Sequence, residues 1–480
     1  MAERESPGTK GFPNGMARTA DAGGAVRTRV LLVHQNFPGQ FRHLAQHLLG
    51  RDDVEVIGLG RDTAPGLPDF PWFKYKLHRD VKTETHPYLR QMESAVLHGQ
   101  AVARSLGELK RKGFTPDIIV AHPGWGETLY AKEVFPEARL IHFCEWYYST
   151  SGADFNFDPE FPNNLDDHLR ITTWNALHLL NLENCDAAIA PTHWQKSRFP
   201  EVYQHKIQII HEGIDTANLG PDPGACLEIP MPTRGECGSV LGEGQAPTPG
   251  TSLVLRAGDP VITYVSRNLE PYRGFHTFMR ALPEVLRAHP TARIIVVGGD
   301  SRSYGALPKD ARSWREKMLR ELSAQLGDDL HRIHFLGKVP YETYRKVLQI
   351  SAAHVYFTYP FVLSWSLLEA MATGCRIIAS DTAPVREAIR HGHSGTLTDF
   401  FDAEQLAMYM LDALNAPVAG DAMRRQAERD ACMYSTQNGL ADYVTLLGLD
   451  PTKHARPATG TPHDAVQASP AERPPHEQVI

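Results

Sequence analysis

Three stretches of this chain carry residue types suited to holding an anion. The first runs from Tyr359 to Asp381 (YPFVLSWSLLEAMATGCRIIASD). It reads as a strand end, a small polar loop, a short helix with Glu369, a glycine stop at Gly374 and another strand. A helix that starts just after a strand presents free backbone N–H groups and a partial positive charge to whatever lies above the sheet. Ser364, Trp365, Ser366 and Leu367 are placed to offer N–H groups or a ring face to a phosphate, and Glu369 to grip hydroxyls beside it. Ser366 and Glu369 also have the spacing of a capping box, in which the glutamate merely closes the helix start. Against that, Leu367, Leu368, Ala370 and Met371 predict a buried helix, where a carboxylate is costly without a strong partner. In the second stretch, Arg267 and Arg273 flank a loop directly after a strand ending at Val265. Guanidinium groups hold phosphate oxygens bidentately and stay charged; the competing reading is two solvated surface arginines. The third is Pro38-Gly39-Gln40-Phe41, between the first strand and its helix, where Gly39 permits close approach to a ligand and a positive φ.

Further residues end strands in the N-terminal half. His122 and Trp125 follow one strand, with Gly124 and Gly126 leaving room between them, and Cys144 and Glu145 end the next. A strand-end His or Glu is as readily a structural hydrogen-bonder. The loops Gly298-Gly299-Asp300 and Gly337-Lys338-Val339 close two later strands, and His391-Gly392-His393 reads as a turn. No zinc spacing, Walker loop or Ser–His–Asp arrangement is apparent, and no metal site is expected.

The elements that must position these residues alternate. Apolar runs at Val30–Val33, Val54–Ile57, Ile118–Ala121, Leu140–Phe143, Ala187–Ala190 and Ile207–Ile210 are separated by helical patterns, including a long amphipathic one over about 86–112. The rhythm breaks over 216–258, dense in Pro and Gly, which reads as a linker or surface insertion. It resumes at Val261–Val265, Ile294–Val297, Ile333–Leu336, His354–Phe357 and Ile377–Ala379, and helical stretches over about 403–447 close the fold. This is an α/β pattern of two parallel sheets covered on both faces. Ligands of such sheets sit at the strand C-termini, so two of them facing each other suit transfer of a group between two bound molecules. The division expected is a disordered tail at 1–27, an N-terminal domain over 28–215, the 216–258 segment, a C-terminal domain over 259–430, a closing helix over 431–450 and a disordered tail at 451–480.

Bulk properties narrow the class. A chain of 480 residues suits about 2–4 domains, and 42% hydrophobic with 22% charged residues is ordinary for a globular protein. A net charge of −7 argues against nucleic acid as a partner. Six scattered cysteines without a CxxC pair fit a reducing compartment. Residues 1–29 hold no apolar signal-peptide core, and no run of about 18 apolar residues exists, so a cytoplasmic protein is expected.

The Tyr359–Asp381 stretch, with Arg267 and Arg273-Gly274, resembles the donor-site signature of family 4 glycosyltransferases, and the resemblance spans about 29–448. It implies the GT-B fold: two Rossmann-like parallel-sheet domains facing across a cleft, the first binding acceptor and the second a nucleotide-sugar donor. It further implies retention of anomeric configuration, no cofactor, and a glycan, polysaccharide or lipid-linked acceptor, the last compatible with peripheral contact at an inner membrane. Arg267 and Arg273 then hold the donor diphosphate, Arg273 standing where the family usually has Lys. Gly39 and Gln40 line the donor phosphates, Gly299 lies near the donor, Lys338 and Val339 hold the nucleobase, and Glu369 meets the ribose. Cys144 or Glu145 stands at the strand end near the reacting carbon, His122 faces the cleft as a further catalytic candidate, and His211 to Asp215 marks the inter-domain crossing. The family usually pairs two glutamates eight positions apart; here the first position is Phe361. That departure keeps two other readings in view, a sugar-nucleotide 2-epimerase and a non-catalytic nucleotide-sugar-binding relative.

Overall fold

Apolar runs bounded by turn residues become the central strands of two parallel sheets. The computed structural model describes residues 27–230, 252–415 and 421–453. Residues 1–26 and 454–480 of the expected tails, and 231–251 of the Pro/Gly-rich stretch, lie outside the described residues. The first sheet comprises β1 (Thr28–Val33), β2 (Val54–Arg61), β3 (Trp72–Tyr75), β4 (Ile118–Ala121), β5 (Arg139–Phe143), β6 (Ala187–Ala190) and β7 (Ile207–Ile209), in the order β3-β2-β1-β4-β5-β6-β7. A hairpin of β8 (Cys226–Pro230) and β9 (Ser252–Arg256) stands between the lobes in sequence. The second sheet comprises β10 (Val261–Asn268), β11 (Arg293–Gly299), β12 (Ile333–Gly337), β13 (Ala353–Tyr356), β14 (Ile377–Ser380) and β15 (Thr396–Thr398), in the order β12-β11-β10-β13-β14-β15. Both sheets are Rossmann-like, and every neighbouring pair in them is parallel.

Continuous apolar runs form these strands because both faces are covered. Along β1, Val30 and Leu32 join one core while Leu31 and Val33 join the core on the opposite face. Along β10, Ile262 and Tyr264 face one core, Val261 and Val265 the other. Sequence reasoning missed β3, β15 and the hairpin. β3 and β15 are edge strands of four and three residues with polar members, so their apolar signal is short. The hairpin lies in the Pro/Gly-rich stretch; its alternation buries Leu227, Ile229 and Leu255 against the C-terminal lobe. The long N-terminal helix runs over Arg90–Arg111.

Two chain crossings join the lobes side by side. At the first, Gly213 has φ +88°, and a Cβ there would lie 2.5 Å from the Cα of Thr436 on the returning strand of chain. Ile214 donates its N–H to the Tyr434 carbonyl at 2.8 Å, and Thr436 donates back to Ile214 at 2.9 Å. The final helix, Thr436–Leu446, then buries Tyr443, Val444 and Leu446 in the N-terminal lobe. A third connection is the long loop between β5 and the helix Leu165–Asn184. From it Phe157 and Phe161 pack on the C-terminal core, Asp158 accepts from Tyr359 Oη at 2.7 Å, and Glu160 pairs with Arg280 at 2.7 Å. No helix among the described residues is long and apolar enough to cross a membrane.

Candidate functional site

In each sheet the strand order reverses beside the first strand, between β1 and β4 and between β10 and β13, which opens a crevice at the strand C-termini. Most of the predicted residues sit in the loops at these two crevices. On the C-terminal side β10 leads through Arg267 into the short helical turn Pro271–Arg273 and then Gly274, whose φ is +66°. A Cβ at Gly274 would meet Phe357 Cβ at 2.4 Å, so this turn requires glycine. It directs Arg273 inward. Its guanidinium donates to Thr358 Oγ1 at 2.7 Å, Val362 O at 3.1 Å and Tyr356 Oη at 3.2 Å, and lies over the Tyr304 ring at 5.2 Å. Arg273 is buried, and no carboxylate pairs with it among the described residues. Arg267 is exposed.

The helix Trp365–Ala372 starts beside Arg273, because Tyr356 Oη also accepts the Ser364 N–H at 2.9 Å. Its cap is Ser364, whose hydroxyl takes the Ser366 N–H at 3.3 Å while the Ser364 carbonyl takes the Leu367 N–H at 3.2 Å. These two amides therefore turn back on the loop in long bonds that a stronger acceptor such as phosphate can replace. The capping box does not form. Glu369 is buried and accepts instead from Tyr344 Oη at 2.8 Å and Tyr341 Oη at 3.1 Å. Burial raises its pKa and the two tyrosine bonds counter this. The strong partner that a buried carboxylate demands is thus supplied by the protein, through a tyrosine pair three residues apart on the helix Tyr341–Gln349. Trp365 gives its indole N–H to Glu212 of the crossing at 2.6 Å. Phe361 packs against Trp146 of the other lobe at 4.8 Å and Tyr304 at 5.0 Å, so an aromatic cluster fills the position of the absent glutamate.

At the neighbouring strand ends, a Cβ on Gly299 would lie 2.6 Å from Asn268 Oδ1 and 2.9 Å from Lys338 Cε, which brings Gly299 and Lys338 together. Lys338 is exposed, whereas Val339 and Leu367 are core side chains and can meet a ligand only through their backbone.

On the N-terminal side the donor and acceptor roles can be deduced. His34 Nδ1 accepts the Asn36 N–H at 2.9 Å, so its Nε2 carries the proton and donates to Gln40 Oε1 at 2.7 Å. Burial, with His122 nearby, pushes the His34 pKa down to about 3 and keeps the ring neutral. Gln40 must then turn its amide N–H outward, to Glu145 Oε1 at 3.3 Å. His122 Nδ1 accepts the Gly124 N–H, leaving Nε2 to face Glu145 Oε2 at 3.3 Å. Gln195 donates to the Glu145 carbonyl at 2.8 Å and fixes the backbone. Burial raises the Glu145 pKa, but the hydrogen bond and charge of His122, with Arg267 across the cleft, outweigh it and hold the carboxyl below its usual range. The cleft therefore holds an ionised carboxylate aimed by two donors. Gly39 (φ +50°) is what allows this packing, since a Cβ there would meet the His34 ring at 2.4 Å. Cys144 is buried and its thiol pKa is pushed well up, which leaves Glu145 as the reactive group of that pair.

The site thus joins Gly39, Gln40, His122 and Glu145 in one network, with Arg267 in electrostatic range. Arg273, Ser364, Trp365, Ser366 and Glu369 form a second group behind it. Sequence reasoning missed Tyr304, Tyr341, Tyr344 and Tyr356, since nothing local marks a partner distant in sequence; it also missed His34, whose partners Asn36 and Gln40 are near and which had a signal, a polar residue just past a strand end. One metal-compatible grouping occurs among the described residues, Asp158, Glu160 and His276, and it lies at the inter-lobe loop with Tyr359 and Arg280 already on its carboxylates.

Known proteins share this architecture. Residues 52–219 match the Glycosyl transferase family 4 group, and residues 252–430 match Glycosyl transferases group 1. Over 253 residues the chain is 28% identical to the D-inositol 3-phosphate glycosyltransferase of Mycobacterium ulcerans, covering 51% of this chain and 46% of that one. Over 197 residues it is 30% identical to the phosphatidyl-myo-inositol mannosyltransferase of Mycolicibacterium smegmatis, covering 39% and 45%. The chain spans about half the length of the curated relatives it matches. Among solved structures, Anabaena HepE in complex with UDP and glucose superimposes with a TM-score of 0.57 at 15% identity, over 88% of this chain and 100% of that one. Sucrose-phosphate synthase from Thermosynechococcus elongatus gives 0.62 at 15% identity, over 88% and 98%. These likenesses show the GT-B fold.

Proposed function

We propose, from the match of residues 52–219 to the Glycosyl transferase family 4 group and of 252–430 to Glycosyl transferases group 1, that the chain is a family 4 retaining hexosyltransferase that moves a sugar from a nucleotide-sugar donor to a hydroxyl of a glycan, polysaccharide or lipid-linked acceptor. The observation that carries this reading is Arg273, a buried cation whose partners among the described residues are neutral, set against a helix start at the reversal of strand order. A buried charge without a counter-ion is unfavourable unless an anion joins it, and the neighbouring amides favour phosphate. Relatives named D-inositol 3-phosphate glycosyltransferase and phosphatidyl-myo-inositol mannosyltransferase, and a structural neighbour in complex with UDP and glucose, support the same chemistry.

In the reaction, the bond between the anomeric carbon and the diphosphate oxygen breaks, and its electron pair stays on the nucleoside diphosphate. Arg267, Arg273 and the helix start stabilise that growing charge. The acceptor oxygen attacks the same face and forms the new bond, and its proton passes to the departing phosphate oxygen. Glu145, held ionised between Gln40 and His122, orients the attacking hydroxyl. Transfer proceeds with no redox or group-carrying cofactor.

A thermal-shift panel of UDP, GDP, ADP and their sugar conjugates tests the reading, because a ligand bound by the folded state alone raises the melting temperature. One nucleotide class should give a shift, and Arg273→Ala should abolish it. Absence of a shift with every nucleotide overturns the proposal, while binding with an epimer formed from donor alone would point to a 2-epimerase.

A further inference from the structure

Beneath His122 and Trp125 a cavity of about 200 Å³ runs into the N-terminal lobe, with Glu145 at its rim. It is smaller than the ~300–1,000 Å³ pockets that enclose drug-sized ligands, and so has room for about one ring. Trp125, Trp146, Tyr148 and Trp174 contribute to its walls, with Met92 and Leu177. The indole N–H groups of Trp146 and Trp174 and the side-chain oxygen of Asn181 are buried without a partner among the described residues. Such groups are costly unless a ligand or water completes them.

The charge of the cavity is as informative as its shape. No Lys or Arg lines it. Its two histidines are His122, engaged with Glu145, and His178, whose pKa burial and the nearby His122 depress to about 4, so that it is neutral. Arg170 stacks on Trp174 with its Cζ 5.7 Å from the ring, but it is no part of the lining and pairs with Asp167 at 2.6 Å. Among the described lining residues the Glu145 carboxylate, which pairs with His122, is the acidic group. A phosphate recognised in a closed site is normally met by Arg, Lys or a cluster of amides, and a carboxylate at the rim repels it. Aromatic faces with a few polar groups instead suit the apolar C–H face and hydroxyls of a neutral ring.

Resting on the assignment of the chain as a glycosyltransferase, we propose that this cavity is the acceptor subsite and that the ring it takes is an uncharged sugar or polyol, not a phosphate ester. The chain would then differ in acceptor chemistry from the relatives named for D-inositol 3-phosphate. Any phosphate of a lipid-linked acceptor lies outside the cavity, and only the terminal neutral ring enters.

The test uses the full chain with methyl α-glucoside, methyl α-mannoside, methyl α-galactoside, myo-inositol and D-inositol 3-phosphate as probes, read by saturation-transfer NMR. At least one neutral ring should bind about tenfold or more tightly than inositol 3-phosphate, and Trp174→Ala should remove its signal. Thr173→Arg, which places a cation in the wall, should raise affinity for inositol 3-phosphate. Equal or tighter binding of the phosphate ester to the unaltered protein overturns the proposal, as does the absence of any neutral-ring signal or a signal that survives Trp174→Ala. The nucleotide thermal shift measured on the same samples reports the donor lobe separately. Its presence with a failed acceptor result sinks the subsite alone, and its absence sinks the transferase reading.

Discussion

Arg267 and Arg273 stand six positions apart in one loop, yet the fold gives them different work. Arg273 is enclosed and held by Thr358 and Val362 in the loop before the Trp365 helix, the place of the proposed anion seat. Arg267 is exposed at the end of β10, and its charge reaches Glu145 across the cleft. The diphosphate is anionic in the bound donor and gains further charge as the sugar leaves, so a cation beside it stabilises the transition state more than the bound donor. Arg267→Ala is therefore expected to lower turnover by about 10²–10³-fold, with a smaller change in donor affinity. Steady-state kinetics check this; near-normal turnover in a folded variant would refute the role. Glu127 of the N-terminal lobe carries a separate prediction. It is fully buried, accepts from Tyr75 Oη at 2.8 Å, and burial lifts its pKa from 4.5 to about 7 against the pull of that bond. The folded protein thus holds this proton more tightly than the unfolded chain. At the lowest pH both states keep it and nothing is lost. From about pH 4.5 to 7 the unfolded chain releases it first, so stability falls as pH rises, by up to about 3 kcal/mol. Glu127→Gln keeps an acceptor for Tyr75 and should flatten that slope in urea melts; parallel slopes in the two proteins would count against the assignment.

At the scale of elements, the strand ends decide what meets what. The loops after β1, β4 and β5 converge because these strands are neighbours in the sheet, although β1 ends at Val33, β4 at Ala121 and β5 at Phe143. The β5 loop goes further and docks on the other lobe through Tyr272 to Asp154 at 2.9 Å, Tyr359 to Asp158 at 2.7 Å and His276 to Asp158 at 3.1 Å. Its partly exposed Arg280–Glu160 pair contributes little, whereas the buried Asp158 carboxylate depends on its donors. Tyr359→Phe removes one of them and should cost ~1–3 kcal/mol in chemical denaturation. An unchanged midpoint would show that this loop does not hold the lobes. The strand periodicity and the two-lobed division were legible in the residue pattern because each buried strand is a run of apolar residues. The edge strands β3 and β15 and the hairpin were not, since an element with few buried positions leaves little apolar signal.

Across the whole molecule, the chain leaves the N-terminal lobe at Gly213 and returns to it at Thr436, so that lobe is completed by sequence from the far end. Arg139 donates to the Leu446 carbonyl at 2.6 Å, and Arg51 to those of Asp450 and Lys453 at 2.9 and 2.7 Å. Tyr443, Val444, Leu446, Leu447 and Leu449 are buried there, and a buried aliphatic side chain is worth ~1.5–3 kcal/mol. Truncation after Ala431 should therefore lower the melting temperature of the N-terminal lobe and split one calorimetric transition into two. A melting profile identical to that of the full chain would show the helix to be dispensable.

By itself the sequence determined that two α/β lobes form, where their strands end, and that arginines, glycines and a helix start collect at those ends, because local periodicity and turn chemistry encode all of this. Only the tertiary structure decided how those residues are partnered. It placed two tyrosines on Glu369, aimed Glu145 through His34 and Gln40, left Arg273 without a carboxylate among the described residues and put Phe361 against Trp146. Such partners are distant in sequence, and burial sets the strength of their interactions, so neither is written in any local pattern.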